Sequence, residues 1–229
     1  MALAMERENR ISAEERGRRI ASPAGQRLVA TMRRSVGRRG VAGSTFDRLA
    51  PEAGVRRGSI AWYVGTKERL LAEVMRADAE ERLTRLHEQL DRAGSVDDII
   101  AAMVRLLDDF LDPELGTYVL AHEMRVVGLR NGAISAVQGE LQARWRAAVV
   151  ELFELKTGEG IIELRGDPQA TAALLTAIGQ GIAAEAMSDP GWDRTETVRQ
   201  AAVAVRHLLG APSESEAGRL AEVGSEPGR

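Results

Sequence analysis

Apolar positions recur every three to four residues along most of the chain, the period of helices that bury one face. The first sustained stripe, Leu28, Val29, Met32 and Val36, predicts a helix from about Pro23 to Arg39, with Gly37 and Gly40 marking its end. Two short stripes follow, Phe46, Leu49, Ala50 and Ala53 before Gly54, then Val55, Ile60 and Val64 after it. They read as two short helices joined by a glycine turn, with Ser44 or Thr45 as the N-cap of the first. Thr66 to about Asp91 reads as one long helix, and Ser95 to about Leu111 as another on a broad stripe that includes Val96, Ile99, Met103 and Phe110. A helix carrying Leu115, Tyr118, Val119 and Met124 follows Asp112-Pro113 and breaks at Gly128 to Gly132; the next runs from about Ala133 to Leu155. The segment KTGEGIIELRGD reads as a loop with a short extended or helical piece. Asp167-Pro168, a cap followed by proline in the first turn, opens a helix to about Met187, and a last helix spans about Asp193 to Leu209. The expected fold class is all-α, with about nine helices.

Charge divides this helical chain. Of 31 basic and 34 acidic residues, 16 and 8 respectively fall between Met1 and Arg76, so a basic N-terminal third precedes an acidic remainder. Only the first part suits a polyanion. In the short second helix, Arg56, Arg57, Ser59, Trp62 and Tyr63 stand between the inward-facing positions, and side chains of these types reach phosphates and base edges. Arg33, Arg34, Arg38, Arg39 and Lys67 interleave with apolar positions nearby, which favours phosphate contact over the solvated face that a basic run otherwise suggests. Either hydroxyl at Ser44 or Thr45 could cap a helix or hold a phosphate at its N-terminus. The expected organisation is a basic disordered arm at residues 1–22, a helix-turn-helix DNA-binding domain at 23–68, a larger helical effector-binding and dimerisation domain at 69–210, and a disordered tail at 211–229.

The order of a basic amphipathic helix, then STFDRLAPEAGV, then RGSI and WYVGTKERLL resembles the DNA-binding domain of the tetracycline-repressor (TetR) family of bacterial transcription regulators over about residues 24 to 75. The resemblance implies that Gly54 makes the turn, that Gly58, Ser59, Trp62 and Tyr63 lie on a recognition helix in the major groove, and that Lys67 starts the next helix and holds a phosphate. Three departures stand out: Ala61-Trp62-Tyr63-Val64 replaces the usual Tyr-x-His-Phe, Pro51 sits inside the first helix of the motif, and Arg56 takes the place of a capping Ser or Thr. The resemblance further implies a homodimer through the last two helices, for which Leu175, Ile178, Ile182, Val198 and Val205 are the candidate interface, although an internal hairpin would use the same residues. It also implies a small effector enclosed by the larger domain. Polar and aromatic residues amid the apolar stripes, Tyr118, His122, Arg125, Trp145 and Gln180, are candidates to line its site, although each taken alone reads more readily as a satisfied core or interface residue.

Little else in the chain suggests chemistry. There is no cysteine, which excludes disulfides and thiolate sites and makes an intracellular protein the simplest expectation. Glu6, Arg7, Glu8 and Arg10 stand where a signal peptide needs an apolar run, and no segment is expected to approach the roughly 20 apolar residues of a membrane span. The expected location is the cytoplasm. His87, His122 and His207 lie on separate helices without metal-ligand spacing, and Asp97-Asp98 and Asp108-Asp109 point about 100° apart on a helix. No catalytic residue, metal or cofactor is expected. The functional expectation is a homodimeric repressor, released from a palindromic double-stranded operator by an unidentified small molecule. The alternative keeps the fold without an effector, as a constitutive DNA-binding or protein-interaction module.

Overall fold

The computed structural model describes residues 13–210, and within them every regular element is a helix. There are ten: α1 (Ala13–Ile20), α2 (Pro23–Gly43), α3 (Phe46–Ala53), α4 (Arg57–Val64), α5 (Lys67–Leu90), α6 (Val96–Leu111), α7 (Thr117–Gly128), α8 (Gly132–Gly158), α9 (Pro168–Ser188) and α10 (Thr195–Leu208). Nine are those the periodicity predicts. The tenth, α1, lies in the stretch expected to be a disordered arm; the rest of that arm, residues 1–12, and the expected tail, 211–229, fall outside the described residues.

The helices group into two packing units, one of residues 13–80 and 112–140, the other of 81–111 and 141–210, so that α5 and α8 each contribute to both. This division differs from the expected boundary after residue 68, because α7 packs extensively on α2 and joins the first unit.

In the first unit, α2 begins as its sequence dictates: the Ser22 hydroxyl accepts the Gly25 amide at 3.2 Å and Pro23 occupies the first turn. Leu28, Met32 and Val36 form its buried stripe. Gly37, expected to help end the helix, instead lies within it and lets α7 approach, since a Cβ there would sit 3.1 Å from the Gly116 Cα. The helix actually breaks at Gly40, whose φ of +69° only glycine adopts readily. Pro51 does not end α3, which continues to Ala53 before Gly54 turns the chain with a left-handed φ of +65°. Leu49, Ala50, Ala53, Ile60 and Val64 then close the core between α3 and α4.

The second unit is built on one apolar cluster that includes Leu86, Leu90, Ile99, Leu152, Phe153, Leu175, Val205 and Leu209. Its helix starts are capped. Ser95 and Asp98 bond each other's groups at the start of α6, and the Ser95 hydroxyl is the main reason the Asp98 carboxyl is held below its ordinary range. Asp167 accepts the Ala170 amide at 2.7 Å, as Asp167-Pro168 predicted. The segment 159–167 forms neither strand nor helix; its Glu163 and Arg165 amides donate to the Leu209 and Leu208 carbonyls. By length and mean hydropathy α9 alone qualifies as a membrane span among the described residues, which corrects the expectation that no segment approaches one. Ala172, Leu175, Ile182 and Ala183 are buried, so one face of α9 belongs to the core.

Candidate nucleic-acid interface

The turn between α2 and α3 positions the short helix pair, and its geometry follows from the break at Gly40. A broken helix leaves carbonyls and amides without intrahelical partners. Side chains from three places supply them. The Val41 amide donates to the Glu123 carboxylate of α7, the Lys67 ammonium donates to the Val41 carbonyl, and the Ser44 hydroxyl donates to the Gly40 carbonyl at 2.7 Å. Ser44 also meets the Ser35 hydroxyl at 2.7 Å and is fully buried. A Cβ at Gly40 would lie 2.4 Å from a Glu123 oxygen, so the glycine also makes room for that carboxylate.

This corrects one of the predicted phosphate contacts and changes another. Ser44 is committed inside the fold and cannot reach a phosphate, whereas Thr45, exposed and without a side-chain capping bond, keeps its hydroxyl outward. Lys67 starts α5 as expected, but its ammonium is half-buried and already engaged by Val41.

The basic residues sort in the same way. Arg33 is largely taken up inside the fold: its guanidinium lies 2.6 Å from the buried Asp78 carboxylate and 3.3 Å from the Thr117 hydroxyl. Arg34 donates to Thr31, Arg39 and Arg38 share Glu52, and Arg57 pairs with Asp47. Such exposed pairs are worth at most about 1 kcal/mol and yield readily to a phosphate. Arg48, Arg56 and Arg69 are exposed without an ion pair among the described residues, and of these the sequence pattern points only to Arg56.

On α4, Ile60 and Val64 face inward while Gly58 is exposed, Ser59 half-buried and Trp62 52% exposed. The Trp62 and Tyr63 rings meet edge to face at 4.8 Å. Tyr63 is turned away from a simple outward role: with Val64, Gly17, Ile20, Ala72, Ile134 and others it lines a cavity of about 370 Å³.

The five candidate effector residues do not gather within either unit. Tyr118 and His122 stack at 5.9 Å on α7 in the first unit, next to an exposed Arg125. Trp145 and Gln180 belong to the second unit, where Trp145 donates to the Thr176 hydroxyl at 3.2 Å and lies under the Arg82 guanidinium at 4.8 Å. Trp145 is thus a satisfied core-edge residue. None of the five borders the 370 Å³ cavity.

The predicted dimer-interface residues face inward. Leu175, Ile182 and Val205 are buried, Ile178 packs on the apolar cluster, and Val198 is half-buried. The outer faces of the same helices carry Leu174, Ala177, Gly181, Ala184 and Met187 on α9 and Val203 and Ala204 on α10.

No family model and no curated protein matches the sequence. Among solved structures, the chain is similar to a candidate TetR-family transcriptional regulator from Rhodococcus sp. (TM-score 0.67, 18% identity, 84% of this chain and 98% of that one). It is also similar to the reduced form of NemR from E. coli (TM-score 0.70, 20% identity, 83% and 100%). A third neighbour, a candidate transcriptional regulator from Saccharomonospora viridis in complex with choline, gives a TM-score of 0.64 at 16% identity over 81% and 94%. The chain has the all-helical fold of TetR-family transcriptional regulators.

Proposed function

We propose that the protein is a DNA-binding transcriptional regulator, acting as a homodimeric repressor that a small molecule releases from a palindromic operator. The observation that carries the reading is α4 itself. It is fixed from below by Ile60 and Val64 and turned by Gly54, and it presents Arg56, Arg57, Gly58, Ser59 and Trp62 outward from a basic stretch of chain. In this reading Arg56, Arg57 and Thr45 hold phosphates while Ser59 and Trp62 face base edges, with Tyr63 supporting Trp62 from the side. Lys67 keeps two N–H donors beyond the one given to Val41.

One such helix reads few base pairs, and two held about 34 Å apart read a palindrome. The exposed apolar residues of α9, Leu174, Ala177, Ala184 and Met187, with Val203 and Ala204 of α10, support pairing of two copies there. The choline-bound neighbour supports release by a small molecule, and Tyr118 and His122, whose rings stack, are among the proposed effector contacts. The reading assigns no catalysis and places the protein in the cytoplasm.

The test is a mobility shift with the duplex flanking the protein's own coding region, at several salt concentrations and with a panel of small metabolites. Salt-dependent binding to a palindrome that one compound abolishes is the expected result. Selective binding that no compound disturbs favours a constitutive module, and absence of selective binding removes the regulator reading.

A further inference from the structure

Helix α1 packs against α4, and one side chain makes the junction. The Arg19 guanidinium lies over the Trp62 ring, 4.1 Å from its centroid, while its Nη1 donates to the Trp62 carbonyl at 3.2 Å. Nη2 donates to Glu15, one turn back on α1, at 2.6 Å, and the Arg19 side chain is only 13% exposed.

The last carbonyls of an eight-residue helix lack intrahelical partners. At the end of α4, the Gly65 amide takes Ala61 and the Thr66 amide takes Val64. Arg19 takes Trp62, so a residue from another helix completes this terminus and sets a positive charge at the negative end of the helix dipole. The same contact covers one face of Trp62, and Tyr63 abuts it at 87°, yet half of the indole stays exposed. An exposed aromatic ring clamped in this way has already lost its rotamer freedom before it meets a partner.

We propose that Arg19 is a positioning residue for the reading helix: it fixes the end of α4 and the Trp62 ring, making α1 part of the DNA-reading head. The inference rests on the reading of α4 as the DNA-facing helix. Arg19 is spent on this internal contact, so its part is geometric. Only a planar fork can stack on the indole while bonding a carbonyl and a carboxylate together; a lysine keeps the charge and loses that geometry.

The experiment uses full-length protein, the duplex that the wild type selects from a random-sequence library, and a scrambled duplex of equal length. Arg19→Lys is expected to leave affinity for the scrambled duplex and its salt slope unchanged, and to lower selected-over-scrambled discrimination roughly tenfold. In a Trp62→Ala background the same substitution should change discrimination less than twofold. Without DNA, Arg19→Lys should increase acrylamide quenching of the emission that Trp62→Phe removes, with helix content unaltered. Unchanged discrimination, or equal losses with and without Trp62, overturns the inference alone. A wild type that selects no duplex overturns the DNA-binding reading and the inference with it.

Discussion

In the first unit the contacts that fix backbone direction are polar and largely out of water: Arg33 with Asp78 and Thr117, Ser35 with Ser44, and Glu123 and Lys67 on either side of Val41. In the second unit the interior is one apolar cluster, and apart from the buried Lys156, ion pairs such as Arg194 with Asp108 and Arg206 with Asp97 stand at its rim. Hydrogen bonds are directional and apolar packing is not. The first unit is therefore built to hold a short helix in one orientation, and the second to tolerate exchange of side chains while keeping its volume. That contrast supports the proposed division of labour between a DNA-reading unit and a pairing unit.

The largest expected effect breaks the contrast at its centre. Removing one partner of a buried ion pair strands the other charge, at a cost of about 3–5 kcal/mol. Asp78→Ala should lower stability by that amount in chemical denaturation, and hydrogen exchange should show protection falling in α2 and α7 before α9 and α10. A loss below about 1 kcal/mol would mean that Arg33 finds water, and that the first unit is not organised around this pair.

A second substitution sharpens the picture of the other unit. Leu174, 47% exposed on α9, and Leu175, 7% exposed beside it, differ only in the face they occupy. Leu174→Asp should give folded monomers in sedimentation, because a charge is placed where the two copies would meet. Leu175→Asp should unfold the unit by burying an unpaired charge. Leu174→Asp dimers would move the interface off this face.

These corrections show which features the residue pattern carried. Stripes of period 3.6 predict nine helices because each buries one face, whereas α1, AEERGRRI, has no such stripe and is held by Arg19 and its neighbours in the fold. On α9 the apolar residues extend around the helix, so periodicity could not separate the inner Leu175 and Ile182 from the outer Leu174 and Met187. Ser44 carries a hydroxyl suited to either a cap or a phosphate, and only the kink at Gly40, where Val41 meets Glu123 from 82 residues away, decides between them. Turn glycine Gly54, cap Asp167 and outward Arg56 were legible because each acts locally.

The smallest effect tests how the basic face is divided. Arg56 and Arg57 are sequence neighbours, both exposed, but Arg57 is paired with Asp47 while Arg56 has no ion pair among the described residues. Each phosphate contact contributes about 0.9 to the slope of log affinity against log salt concentration. Arg56→Ala should therefore flatten that slope by about one unit and weaken binding to all duplexes alike. Arg57 must first leave Asp47, at a cost of at most about 1 kcal/mol, so Asp47→Ala should tighten binding severalfold if Arg57 also meets a phosphate. Unchanged affinity in Asp47→Ala would show that Arg57 serves α3 and α4 rather than DNA. An unchanged slope in Arg56→Ala would move the phosphate contacts to Arg48 and Arg69, which are also exposed and make no ion pair among the described residues.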